Sequence, residues 1–161
     1  MTDKRIRQRG LWFEEMEPGV VYEHRPGRTI TEADNTLFTT QTMNTQALHL
    51  DAAYSETTAF GERLVNSMFT VSTVVGLSVA QLTQGTIVAN LGFSEVTFPK
   101  PLVHGDTLYA ETVITDKRTS KSRPGEGIVT FEHTGKNQHG DVVVKAIRTT
   151  LVQLRPTGDD S

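Results

Sequence analysis

The 161 residues contain no cysteine, which excludes disulfides and thiolate chemistry and suits a cytoplasmic protein. Neither sign of charge dominates. Sixteen Lys and Arg against 19 Asp and Glu give a net charge of −3. That leaves no electrostatic footprint for nucleic acid. No apolar run approaches the roughly 20 residues that span a bilayer, so neither a membrane nor a nucleic-acid partner is expected. The opening MTDKRIRQRG is basic, but no apolar run of signal-peptide length follows it. Metal-binding spacings such as HxH and HExxH are missing, as are GxSxG, the P-loop and GxGxxG. No metal is therefore expected, and there is no internal repeat or low-complexity linker.

Hydrophobic residues make up 36% and charged residues 22%, enough for one globular core. Residues 1–10 read as a flexible basic arm, 11–155 as one domain and 156–161 as a flexible tail. LWFEEMEPGVVYEH suggests a first short strand turning at Pro18-Gly19. Thr31 before Glu32, Ala33 and Asp34 has the chemistry of a helix N-cap, and Asp51 has the same for a second short helix ending near Gly61. The longest helical pattern runs from about Asn66 to Leu82. It is apolar around most of its circumference, which predicts a buried helix.

The second half reads differently. TIVANLGFSEVTF, DTLYAETVITDKR, EGIVTFEHTGKNQ and DVVVKAIRTTLVQLR are β-branched and partly alternating. NQHGD is a hairpin turn in which Gly140 supplies a positive φ. One long helix before a run of neighbouring strands argues for an α+β domain, with an antiparallel sheet wrapped around that helix.

Of five histidines, His24, His104, His133 and His139 lie in strand or turn contexts without an obvious companion and read as surface or turn residues. His49, in the loop-like TMNTQALHLD, is the general acid/base candidate, because histidine exchanges a proton near neutral pH. A histidine that merely hydrogen-bonds within a loop is the plainer reading of the same spacing.

TMNTQALHLDAAYSETTAFGERLVNSMFT resembles the signature of MaoC-like, (R)-specific enoyl-CoA hydratases: D-x-N-P-x-H-x-D, an A…F-G stretch, then H-G-M opening a long helix. PLVHGDTLYAE resembles the later V-x-x-G-D turn of that family, and the likeness covers roughly residues 20–154. It implies a hot-dog fold, a homodimer and reversible addition of water to a 2-enoyl-CoA. Coenzyme A would be part of the substrate, with no separate cofactor.

By that resemblance His49 matches the catalytic histidine and Asn44 the catalytic aspartate. Gln46 and Ala47 match the motif's asparagine and proline. Ser67 takes the position whose backbone N–H faces the thioester oxygen, with Asn66 and Met68 beside it. Asn44 can orient water but cannot take a proton at neutral pH. Three outcomes follow: His49 shuttles the proton alone, which is the favoured one; a carboxylate such as Asp34 or Asp51, or one on the substrate, assists; or the pocket binds acyl-CoA without turnover. The branch that the sequence resembles most handles mesaconyl-, itaconyl- and β-methylmalyl-CoA. A distal substrate carboxylate there would need a cation; Arg63 and Arg28 are the candidates, each equally readable as a solvated arginine. Lys117, Arg118, Lys121 and Arg123 form either a charged hairpin loop or a clamp for the phosphates of coenzyme A, Lys121 and Arg123 being the candidates singled out. A hot-dog thioesterase and a non-catalytic acyl-CoA-binding subunit are the alternatives.

Overall fold

The computed structural model describes residues 3–158. The first two residues of the expected arm and the last three of the expected tail lie outside that range. LWFEEM does not form a strand. Phe13–Glu15 is a single 3-10 turn, and the first strand, β1 (Val21–Thr29), begins only after Pro18-Gly19. Glu15 explains the difference. Its carboxylate accepts from Trp12 N at 2.8 Å and pairs with Arg9, closing a local turn that competes with extension.

Helix α1 (Glu32–Gln41) starts in a capping box: Asp34 N donates to Thr31 Oγ1, and Thr31 N donates to Asp34 Oδ2. Two one-turn helices follow, α2 (Ala47–Leu50) and α3 (Ala52–Glu56), the latter capped by Asp51 through Tyr54 N at 2.9 Å. Helix α4 (Ser67–Leu82) is capped by Asn66, whose Oδ1 accepts from Met68 N at 3.0 Å. Then come β2 (Ile87–Thr97), β3 (Thr107–Thr119), β4 (Glu126–Lys136) and β5 (Val142–Gln153).

All five strands form one antiparallel sheet in the order β1-β3-β4-β5-β2, curling against α4. The turn at Gly140 (φ 82°) joins β4 to β5. The core lies between α4 and the sheet: Val71 and Val74 meet Leu108, Ala110, Val144 and Ala146. Gly135 sets the approach distance. A Cβ there would lie 2.6 Å from both Val74 and Val144 methyls.

Helix α4 departs from its expected burial. Thr70, Val71, Val74, Ser78 and Leu82 are buried, but Ser72, Gly76 and Ala80 are exposed. A single sheet covers one side of a helix, so the apolar character of the other side is left open in the isolated chain. His24 and His133 are not surface residues either. They are 2% and 1% exposed, joined through Thr112 Oγ1 at 2.8 Å on each side. The alternation of β3 and β4 points both Thr112 and His133 at the helix. His139 stays exposed in its turn.

Candidate functional site

His49 sits on α2, not in a loop. Its backbone N–H donates to Gln46 O at 3.0 Å, and Leu64 N returns to Leu48 O at 3.1 Å, clamping the turn against the segment leading into α4. Its ring Nδ1 lies 2.9 Å from Leu64 O. A carbonyl only accepts, so Nδ1 carries the proton and Nε2 is left with its lone pair. That is the tautomer a general base needs.

Asn44 hangs on the same turn. Its Oδ1 accepts from Gln46 N at 3.0 Å. This fixes the orientation of the amide and leaves one lone pair on Oδ1. Ser67 is the first residue of α4, and its N–H has no acceptor within the helix. Ser67 and Met68 are exposed, and the cap at Asn66 already uses Met68 N. The donors left at this positive helix end are the N–H groups of Ser67 and Phe69, and Ser67 is the more exposed of the two.

One side chain, which the sequence reading overlooked, draws these pieces together. Asn35 is fully buried in the middle of α1. Its Nδ2 approaches His49 O at 3.3 Å, Leu64 O at 3.2 Å and His104 Nε2 at 2.9 Å. Its Oδ1 accepts from Asn66 N at 2.8 Å. Asn35 thus ties the base-bearing turn to the start of α4. The signal in the sequence was faint: a poor helix former, four residues before Thr39, on the apolar side of an otherwise ordinary helix. His104, set aside as a surface or turn residue without a companion, is half-buried, and the turn before β3 brings it to this hub.

The candidate cations divide. Arg63 Nη2 donates to Glu32 Oε1 at 2.6 Å and lies next to the hub. Arg28 pairs with Asp34 at 2.5 Å and lies over the Phe69 ring, 5.7 Å from its centroid. Both acids are held below the usual carboxylate range, Glu32 by the Arg63 hydrogen bond and Asp34 first by Thr31 N–H. Arg28, Phe38, Phe69, Thr73, Gly76 and Leu77 bound an open cleft of about 400 Å³ along the uncovered side of α4. Lys121 and Arg123 are not brought here. They lie in the β3–β4 turn, at the far end of β3 from His104, roughly 40 Å along the strand. Arg123 pairs there with Glu126 at 2.6 Å. The two carboxylates considered as helpers are spent on structure: Asp34 closes the capping box and Asp51 caps α3. Among the described residues no cluster of three His, Asp or Glu could hold a metal, and no helix is long and apolar enough to cross a membrane.

Comparison with known proteins agrees with this fold. The mesaconyl-CoA hydratase of Haloarcula marismortui is 31% identical over 152 residues, 92% of this chain and 42% of that protein. The chain thus spans less than half the length of that relative. The (R)-specific enoyl-CoA hydratase of Rhodospirillum rubrum is 29% identical over 147 residues, 89% of this chain and 93% of that protein. A putative MaoC domain protein dehydratase from Chloroflexus aurantiacus superposes with a TM-score of 0.88 at 26% identity, over 98% of this chain and 44% of that one. A Mycobacterium tuberculosis protein described as a double hot-dog fold superposes at 0.84 over 97% of this chain and 48% of that one, and at 22% identity that likeness concerns the fold alone. The sheet curled on α4 is the hot-dog fold that the sequence resemblance implied. The MaoC like domain matches residues 14–137, and the chain belongs to that family.

Proposed function

We propose that the protein reversibly adds water to a short 2-enoyl-CoA thioester. The observation that carries this reading is the His49 Nδ1–Leu64 O bond at 2.9 Å, which leaves Nε2 bare on a turn tied to the segment leading into α4. In the forward direction His49 Nε2 takes a proton from water as the water oxygen bonds to C3. Electrons from the double bond move onto the thioester oxygen, where Ser67 N–H and the helix end stabilise the charge. The protonated Nε2 then delivers its proton to C2, on the same face. The reverse sequence expels water. Asn44 holds the water with its remaining lone pair or its NH2 and takes no proton itself.

For the acyl group, we favour a short, branched or dicarboxylic chain. The cleft beginning at Phe69, within one turn of Ser67, has a single arginine on it, and a substrate carboxylate would take Arg28 from Asp34. We place the active form as a homodimer. The open side of α4 and the unpaired edge of β2, with Val88, Leu91 and Phe93 exposed, call for a partner of the same kind.

A panel of enoyl-CoA substrates tests the reaction by following loss of the conjugated double bond and release of free thiol together. Loss of the double bond without thiol, abolished in His49→Ala, is the expected result. Thiol release with the double bond intact would identify a thioesterase, and binding without either change would identify a non-catalytic subunit.

A further inference from the structure

We propose that His104 is a positioning residue for His49, acting through the amide of Asn35. His104 touches no reacting atom. Its Nε2 lies 2.9 Å from Asn35 Nδ2. An amide nitrogen only donates, so Nε2 accepts and His104 is neutral, with its proton on Nδ1. That acceptor helps fix the plane of the Asn35 amide. The same NH2 group points at Leu64 O (3.2 Å) and His49 O (3.3 Å), and Leu64 O is the atom that sets the tautomer of His49. Asn35 Oδ1, in the same plane, accepts from Asn66 N at the start of α4. One imidazole therefore orients a buried fork that touches both halves of the site.

The arrangement also makes the site sensitive to acid. Protonated, His104 would present Nε2–H to the Asn35 NH2, donor against donor, and the fork would have to turn. Burial and then the Arg63 charge hold the His104 pKa below its ordinary 6.5, while Glu32 and Glu62 oppose them. The titratable and charged groups around it are Glu32 on α1, Glu62 and Arg63 before α4, His49 on α2 and Asp106 in its own turn. The neutral, accepting form thus persists through neutral pH and is lost below 6.5.

This proposal deepens the hydratase reading and rests on it for its effect on rate, but its structural part is read without substrate. The experiment follows the imidazole nitrogen signals of 15N-labelled protein against pH, in wild type, His104→Leu and His104→Gln, alongside kcat and KM. In wild type, His49 should show Nδ1 protonated and Nε2 bare at pH 7.5, and should lose that preference as His104 titrates. His104→Leu cannot accept from Asn35. It should spread His49 over both tautomers and lower kcat about 10- to 100-fold while KM changes less than about twofold, the scale of a small misplacement. His104→Gln offers a carbonyl oxygen that accepts and never titrates. It should keep the tautomer and kcat and lose the acid response. If His49 keeps one tautomer and one pH response in all three proteins, the proposal is wrong. If His104→Leu does not fold, the same acid response in wild type and His104→Gln overturns it. Coupled nitrogen signals in a protein that hydrates no enoyl-CoA would sink the hydratase reading and leave the coupling standing.

Discussion

The fully buried amide of Asn35 makes polar contacts with α2, α4 and the turn at His104. Asn35→Leu nearly conserves volume but strands Asn66 N and removes the donor to two carbonyls. Each buried polar group left without a partner costs about 1–3 kcal/mol. The expected outcome is a folded protein whose unfolding free energy, read from urea titration, falls by several kcal/mol and whose hydration activity is lost. A variant as stable as wild type would mean that water replaces the amide without penalty. His49 could be singled out from its setting, because imidazole chemistry and the spacing to NSM are both local features. Asn35 and His104 could not, because their meaning lies in contacts between residues 14 and 69 positions apart. Asn44 was legible as a departure from an acid. That its carbonyl oxygen is tied to Gln46 N is a fact of turn geometry, which composition does not carry.

The strands of the second half were readable because β-branched residues alternate with polar ones, and Gly140 and Asp141 end the run. The caps at Thr31, Asp51 and Asn66 were readable for a related reason: a side-chain oxygen at a helix start has one local job. The 3-10 turn at Phe13–Glu15 was not, since it depends on the ion pair with Arg9. Two predictions belong to elements. Asn66→Ala removes the cap on Met68 N and should cost about 0.5–2 kcal/mol, with a further loss of rate because the same residue places Ser67 N–H. Gly135→Ala pushes a methyl against Val74 and Val144 at 2.6 Å. Overpacking of this kind costs about 1–3 kcal/mol. Thermal melts should show a drop of several degrees, and an unchanged Tm would mean that α4 shifts away from the sheet freely.

For the molecule as a whole, α+β with a sheet around one helix could be derived from element order. The open side of α4 could not, because an apolar helix carries no mark of what covers it. If a second copy covers it, Leu91→Lys with Phe93→Lys on the β2 edge should shift the protein from dimer to monomer in sedimentation at micromolar concentration. A monomeric wild type would contradict the proposed assembly. The buried histidines set the acid limit of the fold. Burial first, then the charges of Arg148 and His24, hold His133 down to about 3 from an ordinary 6.5, and burial lowers His24 as well. As pH falls, the unfolded chain takes these protons first, so stability is full above 6.5 and declines as pH falls from there towards 3. Glu15 acts in the same sense in a lower window. The Arg9 hydrogen bond holds it at about 2 against an ordinary 4.5, and its contribution fades as pH falls from 4.5 towards 2. The Tm should therefore start to fall below pH 6.5, well before carboxylates titrate, and fall less steeply between pH 6.5 and 4.5 in His133→Gln.

In the proposed reaction the bare Nε2 of His49 moves one proton between water and C2. Incubation of the protein with a short 2-enoyl-CoA in D2O, followed by proton NMR, tests this transfer. The expected product is a 3-hydroxyacyl-CoA with one deuterium at C2, formed at least about 100-fold more slowly by His49→Ala, and at an equal or higher rate by Asn44→Asp. Hydration that survives intact in His49→Ala, or free coenzyme A appearing with the double bond unchanged, would contradict it.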